Sequence, residues 1–225
     1  MPILDRIQIQ LDFEVVRKRL HLKREGDLKA VEDLVHIAQP LIEPKVIYKL
    51  CFIEEKLAEG VIIEGQQFTS MVLRKNLDKI ERVFPFVITI GKKFGEKLET
   101  CTDLLEKFYF DTIGNVALNQ VRMALRDHLK QQYALEKTAF MAPGSLPNWP
   151  IEQQKPLFKL LGDVQASIGV ELTESLLMLP AKSVSGIYFP TETSFFSCQL
   201  CPRERCESRK AKYDEKLARE YGIKK

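Results

Sequence analysis

The chain has 225 residues, of which 45% are hydrophobic and 29% are charged, and its formal net charge is +3 at pH 7. This ordinary globular mixture excludes a wholly disordered chain, and so small a charge excess gives no ground for a nucleic-acid-binding protein. Its apolar runs are too short to span a membrane, and its start lacks the pattern of a secretory signal. We therefore expect a cytoplasmic protein of one main domain that contacts neither membranes nor nucleic acid.

The N-terminal part of the chain combines strand patterns with amphipathic helices. Apolar and polar residues alternate over Ile7–Phe13, which predicts a half-buried strand, and a basic helix is predicted over Val15–Leu22. A second helix with one apolar face is predicted from Asp27 to the residues before Pro40. Two β-branched stretches predict further strands: Val46–Ile53 and Val61–Ile63.

The middle of the chain carries the clearest patterns. Phe86–Ile90 is apolar on both faces and predicts a strand at the centre of its sheet. Asp111–Lys137 has an apolar stripe at helical spacing and predicts a long helix. Two Gly/Pro-rich turns between Pro143 and Pro150 predict a structured loop, and a short helix is predicted around Pro156–Leu161.

The last part of the chain divides into a strand pair and a charged segment. Ser183–Phe189 and Ser194–Leu200 predict two strands, and Arg203–Tyr221 predicts a helix with little apolar face. Taken together, the patterns predict an α+β body over residues 1–200 and a charged helical extension over residues 201–225.

Standard catalytic and nucleotide-binding motifs do not occur in the sequence. It has no G-x-x-x-x-G-K-[ST] loop, and its three histidines, His21, His36 and His128, are scattered. A zinc hydrolase or a Ser-His-Asp triad is therefore not indicated, and we predict no catalytic side chain.

A composite pattern runs through residues 142–189. It consists of P-G at residues 143–144, L-T-E-S-x-x-M-x-P at residues 172–180 and S-V-S-G-x-Y-F at residues 183–189. This pattern resembles the activation (reactivation) domain of cobalamin-dependent methionine synthase, which has the same three motifs in the same order. Three ordered motifs are far more specific than one short match, so the resemblance is a strong one over this part of the chain.

The resemblance implies a fold and a reaction. The fold is α+β, with a twisted, mainly antiparallel sheet and flanking helices. The domain binds S-adenosylmethionine and docks on a corrinoid domain whose cobalt has been oxidised to Co(II). An electron from a flavodoxin or ferredoxin donor and a methyl group from S-adenosylmethionine then restore methylcobalamin. The expected partner is a corrinoid protein, such as a methionine synthase that lacks its own activation domain.

The resemblance also implies a set of ligand-binding residues. Tyr188 takes the position of the tyrosine that lines the S-adenosylmethionine site, and Ser185 and Gly186 shape the strand beside it. Ala142 and Gly144 belong to the turn of the same site, where a glycine lets the backbone approach a ligand closely.

Two positions depart from the family pattern R-x-x-P-G-Y. Phe140 stands where the arginine is expected to hold the methionine carboxylate, and Ser145 stands where the tyrosine is expected. A phenyl ring cannot replace the bidentate contact between a guanidinium and a carboxylate. Two versions of the function therefore stay open. In one the chain binds S-adenosylmethionine, and in the other it has lost this ligand and only passes an electron to cobalt.

Three of the five cysteines lie within nine residues, as C-x-x-C-P-x-x-x-C: Cys198, Cys201 and Cys206. In a reducing compartment this spacing is typical of a metal site rather than of a disulfide. An iron–sulfur cluster is our first interpretation, because the resembled reaction needs a one-electron donor near the corrinoid. Structural zinc is the second interpretation and free thiols are the third. The fourth ligand is left open between Cys51, Cys101, an external group and none.

The favoured hypothesis is a stand-alone protein that reactivates a corrinoid protein. The alternative is a non-catalytic module that binds a corrinoid protein and holds a structural zinc ion with the same cysteines.

Overall fold

A computed structural model describes residues 2–192, 195–206 and 209–223 of the chain. The strands in these ranges are β1 Ile3–Leu4, β2 Lys45–Tyr48, β3 Cys51–Leu57, β4 Gly60–Ile63, β5 Gln66–Thr69, β6 Arg82–Thr89, β7 Thr138–Met141, β8 Glu171–Leu172, β9 Met178–Leu179 and β10 Ser183–Pro190. The α-helices are α1 Phe13–Leu20, α2 Glu25–Ala38, α3 Met71–Asn76, α4 Lys92–Thr100, α5 Leu104–Gln132, α6 Gln154–Leu161, α7 Val164–Ile168 and α8 Glu215–Glu220. Short 3-10 turns lie at Gln39–Leu41, Ile151–Gln153 and Ser197–Gln199.

The main sheet is built around β6. One edge of β6 pairs with β2 and β3, which follow each other along it, and the other edge pairs with β10. Beyond β10 lies β7, and beyond β3 lie β4 and β5. Every pairing between these strands is antiparallel, so the predicted α+β fold with an antiparallel sheet and flanking helices is confirmed.

Each face of the sheet is covered by helices because β6 alternates its side chains between two hydrophobic cores. Val83 and Val87 belong to the first core, with residues of α3, α6, α7 and α8. Phe84, Phe86 and Ile88 belong to the second core, with residues of α1, α2, α4 and α5. All five side chains have no exposed surface, which agrees with the prediction that this strand is central.

Several helices begin at a residue whose side chain accepts a backbone N–H group of the first turn. These N-caps are Asp12, Ser70, Asp103, Asp163 and Asp214. Each such cap contributes about 1 kcal/mol to the stability of its helix. None of the helices in the described ranges is long and apolar enough to cross a membrane.

The predicted strand Ile7–Phe13 is wrong, because the backbone of this segment binds side chains instead of another strand. The N–H group of Leu11 donates to Oε1 of Gln39 at 2.8 Å, and Nε2 of Gln39 donates to the carbonyl oxygen of Ile9 at 3.1 Å. Nε2 of Gln120 donates to the carbonyl oxygen of Gln10 at 3.0 Å. The alternation of apolar residues therefore marks an extended segment that lies across α5.

The second strand of the predicted pair, Ser194–Leu200, is also wrong in its described part. The chain turns back on itself there, since the N–H group of Gln199 donates to the carbonyl oxygen of Phe196 at 2.9 Å. Ser194 lies outside the described residues. The first strand of the pair is confirmed as β10.

The predicted helix Arg203–Tyr221 is much shorter in the structure, where only Glu215–Glu220 is helical. The carbonyl groups of Arg203 and Ala211 accept hydrogen bonds from the guanidinium group of Arg209, so they do not enter a helical ladder. Residues 207 and 208 of this prediction lie outside the described residues. Ala218 is fully buried in the first core, so α8 packs on the body of the protein.

Candidate functional site

Strand β10 is fixed to helix α5 at both of its ends. Near the start of the strand, Nζ of the buried Lys182 lies 2.7 Å from a carboxylate oxygen of Asp111 and 2.8 Å from Oδ1 of Asn115. Near its end, the hydroxyl of Tyr188 donates to the carbonyl oxygen of Arg122 at 3.1 Å and accepts from Nη1 of Arg122 at 3.2 Å. These contacts hold the S-V-S-G-x-Y-F segment in the centre of the molecule.

Tyr188 is an interior residue in this structure. Only 1% of it is exposed, and its ring packs against those of Phe86 and Phe140, with centroid distances of 4.9 and 5.5 Å. Burial raises the pKa of the Tyr188 hydroxyl, so this group keeps its proton. A direct contact between Tyr188 and a ligand stays a prediction, and the contact that the structure provides is with Arg122.

The predicted residues of β10 do not share one face of the sheet. Gly186 and Tyr188 point to the second core, whereas Ser185 points to the first, as the alternation of a strand requires. Ser185 is 2% exposed, and its hydroxyl accepts from Nε2 of Gln154 on α6 at 3.2 Å. Ser185 and Tyr188 therefore lie on opposite faces of the sheet, and contact of Ser185 with a ligand stays a prediction.

The two predicted glycines are placed where the protein packs closely on itself. A Cβ atom on Gly186 would lie 2.7 Å from the carbonyl oxygen of Met141, on the neighbouring strand. Gly144 has a φ of +78°, and a Cβ atom there would lie 2.8 Å from Cδ1 of Ile151. Beside it, the carbonyl oxygen of Ala142 accepts from the N–H group of Ser145 at 3.1 Å, which closes a tight turn. Contact of these residues with a ligand stays a prediction.

Arg122 occupies the space beside Phe140. The guanidinium carbon of Arg122 lies 4.6 Å from the centre of the Phe140 ring, a cation–π contact. Arg122 is 9% exposed, and its hydrogen-bond partners are neutral groups, among them Oδ1 of Asn119 at 2.8 Å. It takes part in none of the ion pairs formed among the described residues. A buried cation without a counter-charge favours an anion nearby.

A cleft of about 280 Å³ opens next to this position, where the end of α5 meets β7. We call it the α5–β7 cleft, and its lining consists of Arg126, Lys130, Glu136, Lys137, Thr138, Thr191, Phe195 and Phe196. Arg122, Arg126 and Lys130 follow one another at intervals of four residues, so their side chains lie along one face of α5. The buried Oγ1 atom of Thr138 has no hydrogen-bond partner among the described residues. The cleft thus combines positive charge, two phenyl rings and an unused polar atom.

The cleft residues were not predicted as a site from the sequence. The four-residue spacing of the cations on α5 was a visible signal, but such a row usually forms a solvated face. The row of cations becomes a candidate site because α5 lies next to β7, so that Arg126 and Lys130 line one cleft together with Thr138.

The three clustered cysteines lie around one arginine. Two carbonyl groups, those of Cys198 and Cys201, accept from the guanidinium group of Arg209 at 3.0 and 3.2 Å. The carbonyl oxygen of Cys206 accepts from the backbone N–H group of Arg209 at 3.1 Å. As the side chains stand, the described residues contain no group of three or more His, Cys, Asp or Glu side chains placed to hold a metal ion.

The other two thiols lie elsewhere in the fold. Cys51 is fully buried on β3, and burial, followed by the charge of Glu64, raises its pKa to about 12. Cys101 follows α4 and is 8% exposed, and burial raises its pKa as well. Both thiols are therefore held in the neutral form, in which they are poor metal ligands.

Comparison with known proteins agrees with this architecture. Residues 118–214 match the family described as vitamin B12 dependent methionine synthase, activation domain. The fold is similar to that of a solved structure described as the MetH reactivation domain bound to AdoHcy. That similarity has a TM-score of 0.59 and 17% sequence identity, and it covers 87% of this chain and 81% of the other chain. At this identity the likeness concerns the fold.

Proposed function

We propose that the chain reactivates a corrinoid protein, because residues 118–214 match the family described as vitamin B12 dependent methionine synthase, activation domain. The family match is the observation that carries the proposal. The partner we propose is a cobalamin-dependent methionine synthase without an activation domain of its own, or a related corrinoid protein, with a flavodoxin or ferredoxin as electron donor.

The reaction has two parts. The cobalt of the partner's corrinoid, as Co(II), accepts one electron from the reductant, and the methyl group of S-adenosylmethionine then passes to it and leaves S-adenosylhomocysteine. Reduction of this cobalt is uphill, and the irreversible methyl transfer makes the whole sequence favourable. The protein's part is to hold the ligand and the corrinoid in reacting geometry and to exclude water.

We propose the α5–β7 cleft as the place where S-adenosylmethionine binds. An adenine ring can stack on Phe195 or Phe196, as bases do on aromatic side chains. The ligand's ammonium group suits the carboxylate of Glu136, and its carboxylate suits the cations on α5. The free Oγ1 atom of Thr138 gives the cleft an unused hydrogen-bonding atom. In this proposal Tyr188 positions Arg122 through their hydrogen bonds, and Gly186 lets β7 pack closely on β10. Neither residue touches the ligand.

The alternative is a chain that has lost this ligand and serves as a docking or electron-transfer module. The observation that favours it is the burial of Tyr188 against Phe140, because a buried Tyr188 is not accessible to the ligand that was expected to contact it. In this version the three cysteines hold an iron–sulfur cluster that passes the electron, or a zinc ion that only stabilises the fold.

Calorimetry with S-adenosylhomocysteine distinguishes the two versions. This product analogue carries the adenine, carboxylate and ammonium groups but cannot donate a methyl group. We expect saturable heat from the purified chain at millimolar or lower ligand concentration. An absence of heat at millimolar ligand would contradict binding of S-adenosylmethionine and would support the alternative, in which the chain has lost this ligand.

The variant Phe196→Ala tests the place of binding. Phe196 is 43% exposed and lines the cleft, so it is available for stacking. Loss of one aromatic platform costs about 1–3 kcal/mol, and we therefore expect roughly tenfold or greater loss of affinity for S-adenosylhomocysteine. Phe52→Ala is the matched control, because Phe52 is 56% exposed on β3, away from the cleft. Equal affinities in both variants would place the ligand elsewhere.

A further inference from the structure

The loop with the clustered cysteines is held together mainly by Arg209. We use the name cysteine loop for the described residues between 198 and 211. The guanidinium group of Arg209 donates to the carbonyl groups of Cys198, Cys201, Arg203 and Ala211. Its own N–H group donates to the carbonyl of Cys206 at 3.1 Å. Arg209 therefore contacts the backbone of all three cysteines: its side chain holds Cys198 and Cys201, and its backbone holds Cys206.

The charge balance of the cysteine loop favours an anion. All the acceptors of the Arg209 guanidinium are neutral carbonyl groups, and no ion pair of the described residues includes this arginine. The adjacent Lys210 adds a second basic residue to the loop. Thiolates that hold a metal carry negative charge, which these basic residues would balance.

The sulfur atom of Cys198 already accepts a backbone hydrogen bond. The N–H group of Lys210 lies 3.4 Å from Sγ of Cys198. N–H···S bonds of this kind orient sulfur ligands and tune the metals they hold. Cys198, Cys201 and Cys206 are all partly exposed, unlike the two buried cysteines.

We propose that Cys198, Cys201 and Cys206 bind one metal centre as thiolates and that Arg209 is the positioning residue of this site. The thiols do not stand at binding distance from one another, so binding requires them to turn inward. Among the described residues between the short 3-10 turn Ser197–Gln199 and α8, no helix or strand restrains the side chains of Cys201 and Cys206. Sites that close around their metal in this way are common in small metal-binding loops.

Zinc and an iron–sulfur cluster need the same thiolates, and two reconstitutions tell them apart. Under oxygen-free conditions, the full chain is loaded with Zn²⁺ alone in one arm and with Fe²⁺ and sulfide in the other, and the bound metal is measured after desalting. We expect one equivalent of zinc, or a brown protein with broad visible absorption from sulfur-to-iron charge transfer. Either result supports the site, and an absence of bound metal in both arms overturns it.

Three variants make the assignment specific. Cys201→Ser should reduce the bound metal to background, whereas Cys101→Ser, which changes a cysteine outside the loop, should not. Arg209→Met should weaken metal binding by about 10–100-fold while all three thiols remain. Equal metal content in Cys201→Ser and the unmodified chain would refute the proposal.

A second readout does not depend on how well each variant folds. In the metal-free chain, iodoacetamide should modify the three loop thiols and leave Cys51 and Cys101 unmodified, because these two are buried. After metal loading the loop thiols should be protected, and continued modification would count against the site. The metal site does not rest on the proposed corrinoid reactivation: a chain that binds metal without reactivating a corrinoid, or the reverse, refutes one proposal and leaves the other.

Discussion

The variant Arg122→Met is expected to bind S-adenosylhomocysteine about tenfold more weakly, or worse, because a charge-assisted hydrogen bond contributes about 1.5–3 kcal/mol. Arg122 places a buried guanidinium beside Phe140, the position at which the family pattern has its arginine. We therefore expect Arg122 to attract the ligand's carboxylate in place of the missing residue. Titration calorimetry measures the change, and circular dichroism checks that the variant is folded.

A second ligand separates this role from a general effect on the fold. 5′-Methylthioadenosine has the adenine and the thioether but no carboxylate, so its affinity should not change in Arg122→Met. Arg17→Met serves as the control, since the Arg17 side chain lies on α1 in an exposed ion pair with Glu14. Equal losses for the two ligands would mean that Arg122 acts through the structure, and unchanged affinity for both would mean that the carboxylate binds elsewhere.

Gly186→Ala is expected to lower the free energy of unfolding by about 2–3 kcal/mol, the upper part of the range for overpacking a core. The new Cβ atom would lie 2.7 Å from the carbonyl oxygen of Met141 and 3.1 Å from the ring of Phe86. A carbonyl oxygen in the adjacent strand cannot move aside without disturbing the pairing of β10 with β7. Urea denaturation gives the free energy directly.

The same measurement tests whether Gly186 is required for the packing of the core or for the approach of a ligand. Gly26→Ala is the control, because no atom lies within 4 Å of the Cβ position there and alanine is favoured within α2 by up to about 1 kcal/mol. If Gly186→Ala kept its stability and lost only ligand affinity, Gly186 would serve the approach of a ligand, as its motif suggests, and the packing account would be wrong.

The parts of the fold that the sequence predicts best are those in which burial alone decides the structure. Strand β6 and helix α5 have patterns that only a central strand and a packed helix satisfy, and both are present. The wrong predictions concern segments whose backbone binds side chains. The backbone of the extended segment before α1 forms hydrogen bonds with the side chains of Gln39 and Gln120, residues far away in the sequence, and no local pattern reveals such a partner.

The candidate site was predicted less well, for a related reason. The motif residues Ser185, Gly186 and Tyr188 were easy to find, but their burial and their opposite faces depend on which strands flank β10. Arg122 and Phe140 are eighteen positions apart and meet only because α5 crosses β7. The spacing of the cysteines predicts a common metal site, which stays a prediction, whereas no local pattern singled out Arg209, which contacts their backbone.

Spectroscopy of a trapped corrinoid tests the central claim most directly. A cobalamin-dependent methionine synthase without its activation domain is prepared in the Co(II) state and mixed, without oxygen, with reduced flavodoxin and S-adenosylmethionine. We predict that adding the chain converts the Co(II) spectrum to that of methylcobalamin and that omitting the chain or the methyl donor prevents this. A spectrum that stays at Co(II) with the chain in excess, or one that changes equally without it, would contradict the account.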